Sequence, residues 1–240
     1  MQMMRHVALA SALILCVAAK PLPAPAPTGA DKANPTCPAA PDWGGLKPMR
    51  FTVKKFPDKT VLLSEGAIDQ GLIPRLTKVL SSNAIDEIWM RSPGGVASVG
   101  NDAGRLIRKF GIPTRVPKGW TCFSSCNFMF MGGPVRAVEP GAVFMVHMFT
   151  HVSDRGAIDE EVSKGTDNTI EMIAEFEQDS ALLASDDNDF LIRMGISRKL
   201  LTEIMYQQQA VVSKGSDNKS TRRCLTQDEL FKYNVANLRE

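Results

Sequence analysis

Two short segments and one histidine carry the residue types that acyl transfer by a hydroxyl requires. Ser92-Pro93-Gly94-Gly95 is a glycine-rich bend that follows an apolar run. Cys122-Phe123-Ser124-Ser125-Cys126 places two adjacent serines between cysteines, and His147 ends the apolar run 142–146. A serine becomes a nucleophile when an imidazole takes its proton, and a sharp turn offers backbone N–H groups to the oxyanion that forms. The chain contains three histidines, His6, His147 and His151. His6 falls in the N-terminal leader, so His147 and His151 are the candidate bases, with His151 read as an exposed loop residue.

Each motif also has a plainer reading. Ser-Pro-Gly-Gly alone is an ordinary strand-to-helix turn. A serine at 124 or 125 is a favoured N-cap for a helix over 124–131. A lone histidine on an apolar strand is commonly a packed core residue. What lifts the set above these readings is its combination, because strand ends on one side of a parallel sheet converge in space.

The elements that must do the positioning alternate. Short β-type runs stand at 51–53, 60–63, 87–90, 114–116 and 142–146. Apolar residues at 72, 73, 76, 79 and 80 have helical spacing, and a second helix is expected over 99–110, with Gly111 at its stop and Pro113 beyond. Further helices are expected over 169–183, 198–206 and 226–233, the last opening with Thr226 and Glu229 as a capping box. The stretch 213–223 is polar and reads as a loop. Strands alternating with helices predict an α/β domain whose strands are mostly parallel.

The chain has 240 residues, 44% of them hydrophobic and 22% charged, which suits one globular domain with extensions. A net charge of +2 with only scattered basic pairs excludes a nucleic-acid footprint. Residues 1–19 read as a signal peptide: Arg5 precedes an apolar stretch about the length of a signal core, and Val17-Ala18-Ala19 offers small residues for cleavage. Membrane attachment is expected only if that segment is retained. Export to a bacterial periplasm or beyond is the expectation. Residues 20–45 are rich in Pro and Ala and read as a linker, leaving 46–240 as the domain.

Export changes the reading of the cysteines. Outside the leader there are four, Cys37, Cys122, Cys126 and Cys224, and an oxidising compartment permits disulfides among them. A Cys37–Cys224 staple between the tails is the first choice. Cys122 and Cys126 read as small buried residues in a tight turn, with their pairing open. Neither their spacing nor the acidic run Asp186-Asp187-Asn188-Asp189 makes a metal site: the first lacks a second ligand pair, the second lacks the glycine and terminal glutamate of a calcium loop. The acidic run reads as a solvated helix cap. No metal and no cofactor is expected.

The order Pro93-Gly94-Gly95, Ser124, Gly133, Arg136, Pro140 and His147 resembles the Clp protease proteolytic subunit within the Clp/crotonase superfamily. The resemblance covers about 61–147 well and continues weakly through Met194-Gly195-Ile196 and 224–230. It implies a spiral of mostly parallel strands with flanking helices. It also implies Ser124 as nucleophile, His147 as general base, and the N–H groups of Gly94 and Ser125 as the oxyanion hole. Peptide or protein substrates and self-association follow from it, with the helix over 169–183 as contact element.

The third triad member departs from the family pattern. The family's aspartate position holds Arg222, which cannot accept an imidazole N–H. Asp217 is the candidate substitute, with Asn218, Asp154, Asp187 and Asp189 as alternatives. A serine peptidase or related acyl hydrolase is therefore the leading expectation. A catalytically inactive Clp-like scaffold or binding protein is the competing one, and a Ser–Lys peptidase using Lys118 is the third.

Overall fold

The computed structural model describes residues 34, 36–210 and 220–239. The signal segment, most of the linker and Asp217 with Asn218 lie outside the described residues. Strands β1 (Arg50–Lys55) and β2 (Thr60–Glu65) form an antiparallel hairpin. From β2 the sheet continues in parallel through β3 (Glu87–Arg91), β4 (Thr114–Val116) and β6 (Arg136–Val138). A second, three-stranded sheet joins β5 (Thr121–Phe123), β7 (Val143–Val146) and β8 (Arg223–Cys224); β5 and β7 are parallel, β7 and β8 antiparallel. The expected α/β fold of mostly parallel strands with flanking helices is the fold observed.

Helix α1 (Leu72–Ser82) buries Leu72, Leu76 and Leu80, a single stripe at i, i+4 spacing. Helix α2 (Ala97–Phe110) buries Val99, Ala103 and Ile107 and stops at Gly111, whose left-handed backbone caps it. Helix α3 (Cys126–Met131) is buried along its whole length. Beyond β7 come α4 (Arg155–Lys164) and α5 (Thr166–Met194). The expected helix over 169–183 is thus 29 residues long, because apolar residues continue through Phe190, Leu191 and Met194 into the core. Residues expected as one helix at 198–206 split into a π turn (Leu200–Ile204) and a 3-10 turn (Met205–Gln207). Helix α6 (Gln227–Lys232) carries the expected capping box between Thr226 and Glu229. Among the described residues no helix is long and apolar enough to cross a membrane.

The four cysteines Cys37, Cys122, Cys126 and Cys224 form two disulfides. Cys37–Cys224 closes a separation of 187 residues, and Cys122–Cys126 closes one of four. The first is the expected staple; the second replaces the reading of Cys122 and Cys126 as plain buried thiols. The segment before residue 46, read from composition as linker, is tied to the domain from Thr36 onward. Thr36 Oγ1 accepts from the Cys224 N–H at 3.0 Å, Asp42 O accepts from the Thr121 N–H at 2.7 Å, and Asp42 pairs with Arg91 at 2.9 Å. A Pro/Ala background masks these three anchors.

The fold brings the ends of β3, β5 and β7 side by side. Ser92, just past β3, bridges Cys122, donating its N–H to Thr121 O at 2.9 Å and accepting from the Phe123 N–H at 3.0 Å. Phe123 in turn pairs with Met145 of β7. The residues that follow each strand, Gly94 and Gly95, Ser124, and His147, therefore meet at one edge.

Candidate active site

Ser124 has φ +59°, a left-handed conformation that few non-glycine residues adopt. It is therefore not the N-cap of α3; it forms a sharp elbow between β5 and that helix. The strain, of order 1–3 kcal/mol, persists because neighbours over-determine the turn. The Cys122–Cys126 disulfide brackets Ser124 symmetrically. The Asn127 N–H donates to Ser124 O at 2.9 Å, and the fully buried Asn127 amide donates to Met145 O at 2.8 Å, fastening the elbow to β7.

The elbow aims Ser124 Oγ at His147 Nε2, 2.7 Å away. The other ring nitrogen, Nδ1, lies 2.8 Å from the buried hydroxyl of Ser220. For Nε2 to accept the Ser124 proton, Nδ1 must carry hydrogen and donate it, so Ser220 Oγ is the acceptor. The ring also packs on Phe123, centroids 4.7 Å apart. Burial, and secondarily the positive charge of Arg222, push the imidazole down to about 4. It is neutral at neutral pH.

Two backbone amides, one in the glycine-rich bend and one in the elbow, are without a hydrogen-bond partner among the described residues. Gly94 is buried, and its N–H donates to Ser92 Oγ at 3.0 Å. Gly95, the next residue, is exposed, and its N–H has no partner among the described residues; the same holds for the N–H of Ser125. Both glycines are sterically required. A Cβ on Gly94 would lie 2.6 Å from Phe123 O, and one on Gly95 would lie 2.0 Å from Ile68 O. Gly95 lines the cleft and keeps its amide unpartnered, whereas the Gly94 amide expected from the sequence is engaged by Ser92, a local hydrogen bond that sequence spacing does not reveal.

Among the described residues, no other candidate hydrogen-bonds to the His147 ring, whose partners are Ser124 and Ser220. Arg222 lies against aromatic faces, its guanidinium 4.9 Å from the Phe123 ring and 5.9 Å from that of Trp43. Asp154 lies 3.4 Å from His151, and Asp189 pairs with Arg193. Asp187 bonds to Asn101 at 2.9 Å. Lys118 packs beside Gly141, and its N–H bonds Glu139. Asp217 is outside the described residues. His151 is not an open loop residue: it starts a 3-10 turn (His151–Ser153) and stacks on Phe176, ring centroids 4.1 Å apart. The acidic run is not a helix cap either. It lies inside α5, with Asp187 only 7% exposed.

Ser220 was missed. A serine in a polar stretch carries no sequence signal of its own. Only its position two residues before Arg222, close to where the family pattern wants an acid, could have pointed to it.

A cleft of about 200 Å³ opens beside Ser124 and His147 and is lined by Gly95, Ser125, Phe128, Leu183, Asp187 and Tyr206 among others. Its exposed surface is more apolar than polar, with Phe128, Phe149, Leu183 and Met205 beside several polar side chains, which suits an extended organic substrate. The arrangement can in principle deprotonate a hydroxyl, direct it at a carbonyl, and hold the resulting oxyanion by two amides.

No family model matches this chain, and no curated protein matches it. Solved structures do share features of its chain course. A ClpP1 point mutant from Listeria monocytogenes is 16% identical, with 74% of this chain and 88% of that chain covered and a TM-score of 0.49. A point mutant of 1510-N, a membrane-bound stomatin-specific protease, is 12% identical over 74% of this chain and 75% of that one, with a TM-score of 0.42. An enoyl-CoA hydratase from Shewanella pealeana is 14% identical over 40% of this chain and 49% of that one, with a TM-score of 0.32.

Proposed function

We propose that this protein is an exported serine peptidase or related acyl hydrolase. The observation that carries the reading is the 2.7 Å contact between Ser124 Oγ and His147 Nε2, made from a left-handed elbow. In the proposed reaction Ser124 Oγ attacks the substrate carbonyl while its proton passes to Nε2. The carbonyl π pair becomes the oxyanion, held by the N–H groups of Gly95 and Ser125. His147 then gives the proton to the departing amine or alkoxide, and water repeats the sequence to release the acid.

The base is unusual in having a neutral hydroxyl, not a carboxylate, behind it. A hydroxyl fixes the tautomer and the ring plane but does little for the imidazolium that forms. The expected enzyme is accordingly slow. This same feature favours the second reading, a Clp-like scaffold that keeps the site geometry without turnover. The N-terminal leader supports export to the periplasm, and two disulfides fit an oxidising compartment. Self-association through α5 is part of the proposal, since Ile170, Ile173 and Leu182 stand 48–61% exposed along it.

Labelling of the mature protein by a fluorophosphonate tests the reading. Labelling that Ser124→Ala abolishes and Ser125→Ala leaves intact supports the hydrolase. A folded protein that takes no label is the scaffold.

A further inference from the structure

The cleft beside Ser124 ends against a carboxylate that the proposed reaction does not use. Asp187 projects from α5 and is 7% exposed. Its Oδ1 accepts from Asn101 Nδ2 at 2.9 Å, and the same amide donates to Asp186 at 2.8 Å. Arg105 on α2 pairs with Asp186 and with Asp102, not with Asp187. Between them, Asp186 and Asp187 thus hold two negative charges against one nearby guanidinium, and the buried one lacks a direct cationic partner among the described residues.

A second, independent observation lies on α2. Asn101 is fully buried and lines the same cleft, yet its Oδ1 has no hydrogen-bond partner among the described residues. Buried acceptors without donors are uncommon, and each one needs an explanation. No lysine or arginine lines the cleft; its titratable lining is His147, Asp187 and Tyr206. Burial and the neighbouring Asp186 charge push Asp187 up to about 6, and burial and Asp187 push Tyr206 up to about 12. Burial is the larger cause of both shifts, and a nearby negative charge adds to each.

We propose that Asp187 and Asn101 form a specificity subsite that takes a cationic substrate side chain, the ammonium of lysine or the guanidinium of arginine, next to the bond cleaved at Ser124. The assignment rests on the hydrolase reading above and adds the substrate class. A cation there would pair with the Asp187 carboxylate and donate to the orphaned Asn101 oxygen. The walls from Phe128 and Leu183 would pack its aliphatic stem.

Three measurements test this. Peptidyl phosphonates bearing lysine or norleucine, which has the same four-carbon stem without the ammonium, are compared for the rate at which they label the mature protein. Lysine preferred by about 10-fold or more supports the subsite. The preference should fall to near unity in Asp187→Asn and persist in Asp187→Glu. Equal rates for the two phosphonates, with a small fluorophosphonate still labelling Ser124, overturn the subsite and leave the hydrolase standing. If nothing labels, binding of N-acetyl-lysine methylamide is titrated by NMR against the norleucine analogue. Selective lysine binding that Asp187→Asn removes supports the subsite in a protein that is no hydrolase, and absent or unselective binding overturns it.

Discussion

Ser220 Oγ stands 2.8 Å from His147 Nδ1, on the side of the ring away from Ser124, so a hydroxyl occupies the place where an acid would orient the base. Ser220→Ala should retain the fold and slow fluorophosphonate labelling by about 5- to 10-fold, the worth of one hydrogen bond of about 1 kcal/mol. Ser220→Asp should do the reverse, raising both the rate and the pH of half-maximal labelling. A Ser220→Asp variant slower than Ser220→Ala would show that the site cannot use a carboxylate.

The pH profile follows from the depressed imidazole. His147 acts as base only when neutral, and its folded-state value is about 4. Labelling should therefore rise with pH through about 4 and stay level from 5 to 8. In the unfolded chain the same histidine titrates near 6.5. The unfolded state binds the proton first as pH falls, so this group's contribution to stability is complete above about 6.5 and is lost as pH falls towards 4. Urea midpoints of His147→Phe and the parent at pH 7 and pH 4.5 read that difference.

Asp187 works in the opposite direction. Its folded value is raised to about 6, above the unfolded value of 3.8. Its stabilising share is present below about 3.8 and is lost as pH rises through 6. At pH 7.5 the buried charge is a cost, and Asp187→Asn should raise the unfolding free energy by up to about 3 kcal/mol. At pH 4 the gain should vanish. A subsite that weakens the fold in this way is consistent with selection for binding.

The two disulfides should separate cleanly. Loss of Cys37–Cys224 opens a long loop and should destabilise the domain by up to about 5 kcal/mol, judged by Tm. Loss of Cys122–Cys126, by paired alanine substitution, should cost less in Tm and more in labelling, because that bridge brackets the left-handed Ser124 elbow. Equal labelling in the parent and the Cys122/Cys126 variant would remove the disulfide from the positioning of the nucleophile.

Arg136 offers a test remote from the cleft. It is 2% exposed and spends its guanidinium on three carbonyls, Gly133, Asn234 and Val235, each at 2.8 Å. Burial and the Arg108 charge push it down to about 10. Arg136→Met strips the Asn234 and Val235 carbonyls of this donor, leaves Gly133 O with Arg108 Nη2 at 3.1 Å alone, and should destabilise by about 3 kcal/mol or more. Arg136→Lys should recover only part, since an ammonium cannot span three acceptors in one plane.

Five strands and the convergence of Ser124 with His147 were legible because both depend on local signals: apolar runs, glycines that must bend, and residues at strand ends; the two- and three-residue strands β5, β6 and β8 carry no such signal. The full length of α5 was not, since Phe190 and Leu191 belong to a helix only through what they pack against. Which glycine of the bend keeps an unpartnered amide was not either. Gly94 and Gly95 are indistinguishable in sequence, and a single hydrogen bond from Gly94 to Ser92 decides between them. Ser220 and Asn101 were invisible for a similar reason. Their roles arise from contacts across 73 and 86 residues of chain, with His147 and Asp187 respectively.

The Cys37–Cys224 bond also sets an order of events. Cys37 is synthesised 187 residues before its partner, and β8, which Cys224 ends, is the strand that flanks the His147-bearing β7. Cys37 must stay unpaired while Cys122 and Cys126, four residues apart, are free to find each other. A nascent chain halted between Cys126 and Ser220 has its serine elbow but neither Ser220 nor the staple. The nucleophile is thus assembled early and its base is oriented last, so a partly made chain carries the parts of the site without the means to use them.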